Sequence, residues 1–103
     1  MNQNELKLQP IIKESTSSHN YQELYICFVS EFPGVEFTTK EIYSELDFAE
    51  AYIGVYQAGA QRHYYRVKFE RNGEKSLVSL QKAASRHARI SPEKVWKTVE
   101  GCL

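Results

Sequence analysis

The stretch His63-Tyr64-Tyr65-Arg66-Val67-Lys68-Phe69-Glu70-Arg71-Asn72-Gly73-Glu74-Lys75-Ser76-Leu77-Val78-Ser79-Leu80 decides the fold. Apolar and polar residues alternate on both sides of Asn72-Gly73. Asn-Gly suits a two-residue hairpin turn because both central positions take positive φ. The expected hairpin runs from His63 to Arg71 and from Glu74 to Leu80. It sets Glu70 opposite Lys75, Lys68 opposite Leu77, Val67 opposite Val78 and Tyr65 opposite Leu80. Its dry face is Tyr65, Val67, Phe69, Val78 and Leu80. Its wet face carries Tyr64, Arg66, Lys68 and Lys75, with Arg62 and Arg71 at the ends. Such a face suits phosphate contacts with an aromatic ring available for stacking. An exposed strand also carries Lys and Arg as a guard against edge-to-edge pairing.

Downstream, Gln81 to Ala88 reads as a short helix, and a better-marked one follows. Ser91 is a good cap, Pro92 suits the first helical position, and Glu93 complements the positive end of the helix dipole. Val95, Trp96 and Val99 form the inner face, and Gly101 sits where a left-handed C-terminal residue is wanted. The run Ala88-Arg89-Ile90-Ser91-Pro92-Glu93-Lys94-Val95-Trp96-Lys97-Thr98-Val99-Glu100-Gly101 resembles the helix-turn-helix of the lactose-repressor family of transcription factors. The resemblance implies that Ser91 caps a recognition helix, that Val95 locks it onto a partner helix, and that its first turn enters the major groove. Pro92, Glu93 and Lys94 would then lie near base edges, with Lys97 on a phosphate or base.

Upstream, Thr38-Thr39-Lys40-Glu41 has the spacing of a capping box, with Phe37 and Ile42 placed as a hydrophobic staple. This predicts a helix with Ile42, Tyr43 and Leu46 on its buried side. Followed by Phe48, Ile53 and Tyr56, it makes a second helix-turn-helix match, in which the hairpin becomes the wing of a winged-helix domain. Residues 48–61 have two readings. As a helix they continue the core, but Gly54 and Gly59 each cost roughly 1 kcal/mol relative to Ala. As a strand, Tyr52 to Gln57 has fitting β-branched and aromatic content, and this reading is favoured. Asn20, with Glu23 three residues on, starts an earlier helix through Tyr21, Leu24, Tyr25, Phe28, Val29 and Phe32, stopped by Pro33-Gly34. Residues 1–19 are polar and read as a flexible arm with Ile11 and Ile12 as docking points.

The expected fold is therefore α+β: two N-terminal helices, a two- or three-stranded antiparallel sheet built on the hairpin, and C-terminal helices, winged-helix-like in one reading. At 103 residues with 42% hydrophobic content the chain is one domain with a thin core, residues 20–103. Cys27 and Cys102 can form at most one bridge. No signal-like apolar stretch precedes them, which points to reduced thiols in the cytoplasm. The longest apolar run, Leu24 to Val29, is far short of the roughly 20 residues of a membrane span.

The net charge of zero conceals an uneven distribution. Residues 1–60 hold three Lys against nine Asp and Glu. Residues 61–103 hold ten cations, Arg62, Arg66, Lys68, Arg71, Lys75, Lys82, Arg86, Arg89, Lys94 and Lys97, against four Glu. A basic half points to a polyanion. The primary expectation is a DNA-binding regulator of transcription or of a mobile element, with DNA ahead of RNA as partner. The hairpin, Lys82, Arg86 and Arg89 neutralise phosphates, and Glu93, Lys94 and Lys97 read bases. The alternative is a non-enzymatic protein-interaction module, an inhibitor or adaptor, using the acidic helices or the aromatic hairpin face. Acidic and basic halves could also join two copies, as a homodimer or head to tail. His19, His63 and His87 lack partners at metal-ligand spacing, and no Gly-rich phosphate loop is present, so no enzyme activity, metal, cofactor or small-molecule substrate is expected.

Overall fold

The hairpin forms, with its turn one residue later than the sequence suggests. In the computed structural model, which describes residues 2–32, 37–57, 59–84 and 90–103, Gly73 and Glu74 are the turn residues and Asn72 pairs with Lys75. Of these two, Gly73 alone takes a positive φ, 66°, as in the turn type with Gly at its first central position. The register moves by two residues: Glu70 faces Leu77, Lys68 faces Ser79, Phe69 faces Val78, Val67 faces Leu80 and Tyr65 faces Lys82. A shift of two keeps every side chain on its face, so Tyr65, Val67, Phe69, Val78 and Leu80 are still buried together.

The two strands of this hairpin, β4 (Ala60–Asn72) and β5 (Lys75–Lys82), are the centre of a larger sheet. Beside β4 lies β3 (Phe48–Gln57), and beside β3 lies β2 (Phe37–Tyr43). On the other side β1 (Ile11–Ser17) pairs with β5, giving five antiparallel strands in the order β1-β5-β4-β3-β2. The favoured strand reading, Tyr52 to Gln57, falls within β3, while Ala60 and Gln61 already begin β4. The helix expected over Thr38 to Leu46 does not form: this segment is β2 followed by a 3-10 turn, Ser44–Leu46. Thr38 does not cap a helix but donates through Oγ1 to the Tyr52 carbonyl, 3.3 Å away. The reason is tertiary. β-Branched and aromatic residues at 37–39, 42 and 43 suit a pleated surface, and the β3 backbone supplies the partners that an isolated capped turn lacks.

The helix beginning at Asn20 does form, as α2 (Tyr21–Glu31). Asn20 accepts from the Glu23 amide at 2.8 Å and donates back to its carboxylate at 3.1 Å. The C-terminal helix, α3 (Pro92–Cys102), has Ser91 as cap and Pro92 at its start. Both helices lie on one face of the sheet, with Leu24, Phe28, Val95 and Val99 packed on Ala49, Ala51, Ile53 and the hairpin. A disulfide joins them, Cys27 of α2 to Cys102 of α3, with Cα atoms 5.9 Å apart. The expectation of free thiols is thereby corrected.

Residues 1–19, read as an arm, contain β1 and a short helix, α1 (Gln3–Lys7), on the opposite face of the sheet. Its Leu6 is fully buried against Tyr52 and Ala83. This architecture is neither a helix-turn-helix nor a winged helix. Gln81 and Lys82 end β5, so no partner helix precedes α3 in the described residues, and residues 85–89 of the expected short helix lie outside them.

Candidate binding surface

Alternation along the strands gives the sheet a second face made of Thr39, Glu41 and Tyr43 from β2, Glu50 and Tyr52 from β3, Arg66, Lys68 and Glu70 from β4, and Ser79 and Gln81 from β5. At its centre Arg66 Nε donates to Glu50 Oε2 at 2.8 Å, and Arg66 Nη1 donates to Gln81 Oε1 at 2.9 Å. The Tyr52 hydroxyl donates to the same Glu50 oxygen at 3.3 Å. Gln81 Nε2 in turn donates to the carbonyls of Lys7 and Gln9, 3.0 and 2.8 Å away, so the network extends to the α1 segment. No buried side-chain nitrogen or oxygen among the described residues lacks a partner. This is the condition under which a buried ion pair is tolerated. Burial, and then the Glu50 charge, push the Tyr52 hydroxyl up to about 12.

Next to this network lies His63, 4% exposed, with Nδ1 2.6 Å from Thr38 Oγ1 and its ring edge-on to Tyr52. With the Thr38 hydroxyl proton directed to the Tyr52 carbonyl, the imidazole proton sits on Nδ1; with it directed to Nδ1, the ring proton sits on Nε2. Burial lowers the His63 pKa, which keeps the ring neutral at pH 7. Gly54 is packed beside it. A Cβ at Gly54 would stand 1.9 Å from the Arg62 carbonyl oxygen, so only glycine fits where β3 and β4 change register. Tyr64, at that irregularity, packs against the helix-side core and does not join the wet face as expected.

Towards β2 and the hairpin end, the same face is open. Tyr43 and Phe48 stack with ring centroids 4.8 Å apart. Lys68 Nζ lies 4.9 Å from the Phe48 centroid and 3.3 Å from Glu70 Oε2. The Tyr43 hydroxyl lies 3.1 Å from Glu41 Oε2 and 3.4 Å from Glu50 Oε1; its single proton serves one carboxylate at a time. Burial first, then the bond to Glu41, raise its pKa to about 12.

The structure disperses the cations singled out from sequence. Arg66 is buried in the ion pair with Glu50 of the acidic half, Lys68 is paired with Glu70, and Arg71 lies 3.8 Å from Asp47. Arg62 is exposed near the β3–β4 turn, Lys75 at the other end of the sheet, and Lys82 is half-buried at the end of β5. Glu93, Lys94 and Lys97 are exposed on α3. Lys94 and Lys97 border a cleft of about 430 Å³ that also involves Glu31, Thr98 and the disulfide. Arg86 and Arg89 lie outside the described residues. The stacked Tyr43–Phe48 pair and the Glu50–Arg66–Gln81 chain were not foreseen. Both depend on which strands become neighbours, and that is not encoded locally. Among the described residues, no three His, Cys, Asp or Glu side chains converge as metal ligands, and no helix is long and apolar enough to cross a membrane.

No protein-family model, no curated protein and no solved structure matches this chain.

Proposed function

We propose that this protein is a non-enzymatic binding module that recognises a basic segment of another protein through the open part of the sheet face opposite α2 and α3. The observation that carries the reading is the Tyr43–Phe48 stack, with Lys68 and Glu70 held beside it and Glu41 and Glu14 exposed on the same face. A half-buried aromatic pair inside a charged surround offers an anchor with water-excluding neighbours. Outside the Glu50–Arg66 pair, the strand charges on this face are Glu14, Glu41 and Glu70 against Lys68 and Lys75, an acidic balance. The complement is a segment that sets Lys or Arg beside an apolar side chain. The Cys27–Cys102 bridge favours an oxidising compartment as the place of work.

The test is selection from a random-peptide display library, followed by mapping the selected peptide through amide chemical shifts. Enriched peptides should combine basic and apolar residues, perturb Phe48, Lys68 and Glu70, and bind roughly tenfold more weakly to Glu70→Lys. Acidic peptides, or shifts confined to α3, would reject it.

Nucleic-acid binding is the second reading. It is favoured by Lys94 and Lys97, three residues apart on α3, exposed and without an ion pair among the described residues. That reading requires oligonucleotide affinity with a log-log salt slope of about −0.9 per phosphate neutralised, reduced in Lys94→Glu/Lys97→Glu.

A further inference from the structure

The two edges of the sheet carry matching sequences. β1 contains Ile12-Lys13-Glu14 and β2 contains Lys40-Glu41-Ile42, and both runs are exposed. Ile12 and Ile42 are 42% and 37% exposed, unusual for isoleucine in a strand. Among the described residues, none of the four charges is in an ion pair within the molecule.

Which backbone groups point outward follows from the ladder. The Ala83 amide donates to the Tyr64 carbonyl, and the Arg71 amide donates to the Asp47 carbonyl. Odd-numbered residues of β5 therefore face β4, and odd-numbered residues of β4 face β3. Because orientation alternates along each strand, the registers Lys13–Leu80, Ser15–Val78, Thr39–Tyr52 and Glu41–Glu50 turn those β1 and β2 residues inward. Glu14 and Thr16 on β1, and Lys40 and Ile42 on β2, are left with amides and carbonyls directed away from the sheet.

Pairing of an edge with its own copy gains no opposite-charge pair. Antiparallel two-fold contacts centred on a charged residue set Glu14 against Glu14 or Lys13 against Lys13 on β1 and Lys40 against Lys40 or Glu41 against Glu41 on β2, and those centred on Ser15 or Ile42 leave the charges opposite uncharged residues. Pairing β1 with the β2 of another molecule gives the opposite result. Turning the second copy by half a revolution about an axis in the sheet plane, across the strands, lays β2 antiparallel beside β1. The outward-facing residues Glu14 and Lys40 then come opposite each other in one register. The same register places Lys13 against Glu41, Ile12 against Ile42 and Ser15 against Thr39.

We infer that the protein self-associates head to tail through β1 of one copy and β2 of the next, specified by the reciprocal Lys13–Glu41 and Glu14–Lys40 pairs. The contact is heterologous, so every added copy still presents a free edge, and assembly is open-ended with the helix layer alternating sides. The inference goes beyond the peptide-binding reading; Glu14 and Glu41 take part in both, and the sedimentation readout, made without peptide, tests self-association alone.

Two charge-swapped variants test it, Lys13→Glu/Glu14→Lys and Lys40→Glu/Glu41→Lys. Neither changes the net charge, and all four side chains are exposed, so far-UV circular dichroism and melting should match the parent. Sedimentation velocity over a concentration series should show the parent growing through successive oligomers. Each variant alone should associate roughly tenfold more weakly or not at all. Mixing the two in equal amounts should restore assembly, because each swapped edge then meets a swapped partner. A monomeric parent, a parent that stops at a dimer, a variant that assembles like the parent, or a mixture that stays dissociated would each overturn the inference.

Discussion

The two faces of the sheet are stabilised by different physics. On the helix side Ala49, Ala51, Ile53, Tyr65, Val67, Phe69, Val78 and Leu80 meet the apolar stripes of α2 and α3, and burial is close to complete, with the Tyr65 hydroxyl, which donates to the Ile90 carbonyl, the one polar side-chain group among them. On the other side Glu50, Arg66, Gln81 and Tyr52 are equally withdrawn from water but hold one another by hydrogen bonds and an ion pair. The first face tolerates any side chains of suitable volume. The second tolerates only side chains that complete each other, because a single removal strands a charge.

The largest expected effect falls on the helix side. The bridge between Cys27 and Cys102 closes a sequence separation of 75 residues. In the chain-entropy account this constrains the unfolded chain by about 4 kcal/mol. Cys27→Ser/Cys102→Ser should therefore lower unfolding stability in urea by about that amount, and the loss should appear equally in the native protein on reduction. On the polar side Arg66→Met should cost about 3 kcal/mol by leaving the Glu50 carboxylate buried and unpaired. The double change Glu50→Met/Arg66→Met should cost much less than Arg66→Met alone. If the double variant is as unstable as the sum of the single ones, the polar face is not a coupled unit and the contrast between the faces fails.

The smallest effect is a pH dependence. The folded-state pKa of His63 is depressed by burial. Its contribution is present above the unfolded value of about 6.5 and is lost as pH falls through the folded value. Stability should thus decline on acidification below about pH 6.5, with a shallower slope in His63→Gln. An unchanged slope would place the acid sensitivity elsewhere on this face.

Legibility in the sequence followed the range of the interactions. The Asn20 and Ser91 caps, the two helices they start, and the dry side of the hairpin were readable because their causes lie within a few residues. Asn-Gly and Gly-Glu both satisfy a tight turn, and only the full ladder selects the later position. Thr38 and Glu41 have capping-box spacing, so local sequence favours a helix over β2, and the strand partner that overrides it, β3, is itself ambiguous in sequence. The basic half suggested one continuous cationic surface. Folding instead buried Arg66 beneath α1's side of the sheet and paired Lys68 and Arg71 with carboxylates.

By itself the sequence determined where α2 and α3 start, that a hairpin lies between them, and that its apolar side chains share one side, since period and capping are local properties of the chain. Only the tertiary structure decided that β1 and β2 become the two edges, that Glu50 meets Arg66, and that Cys27 reaches Cys102. Those contacts join residues far apart in the chain, and their free energy is realised only when every neighbouring strand and helix is already in place.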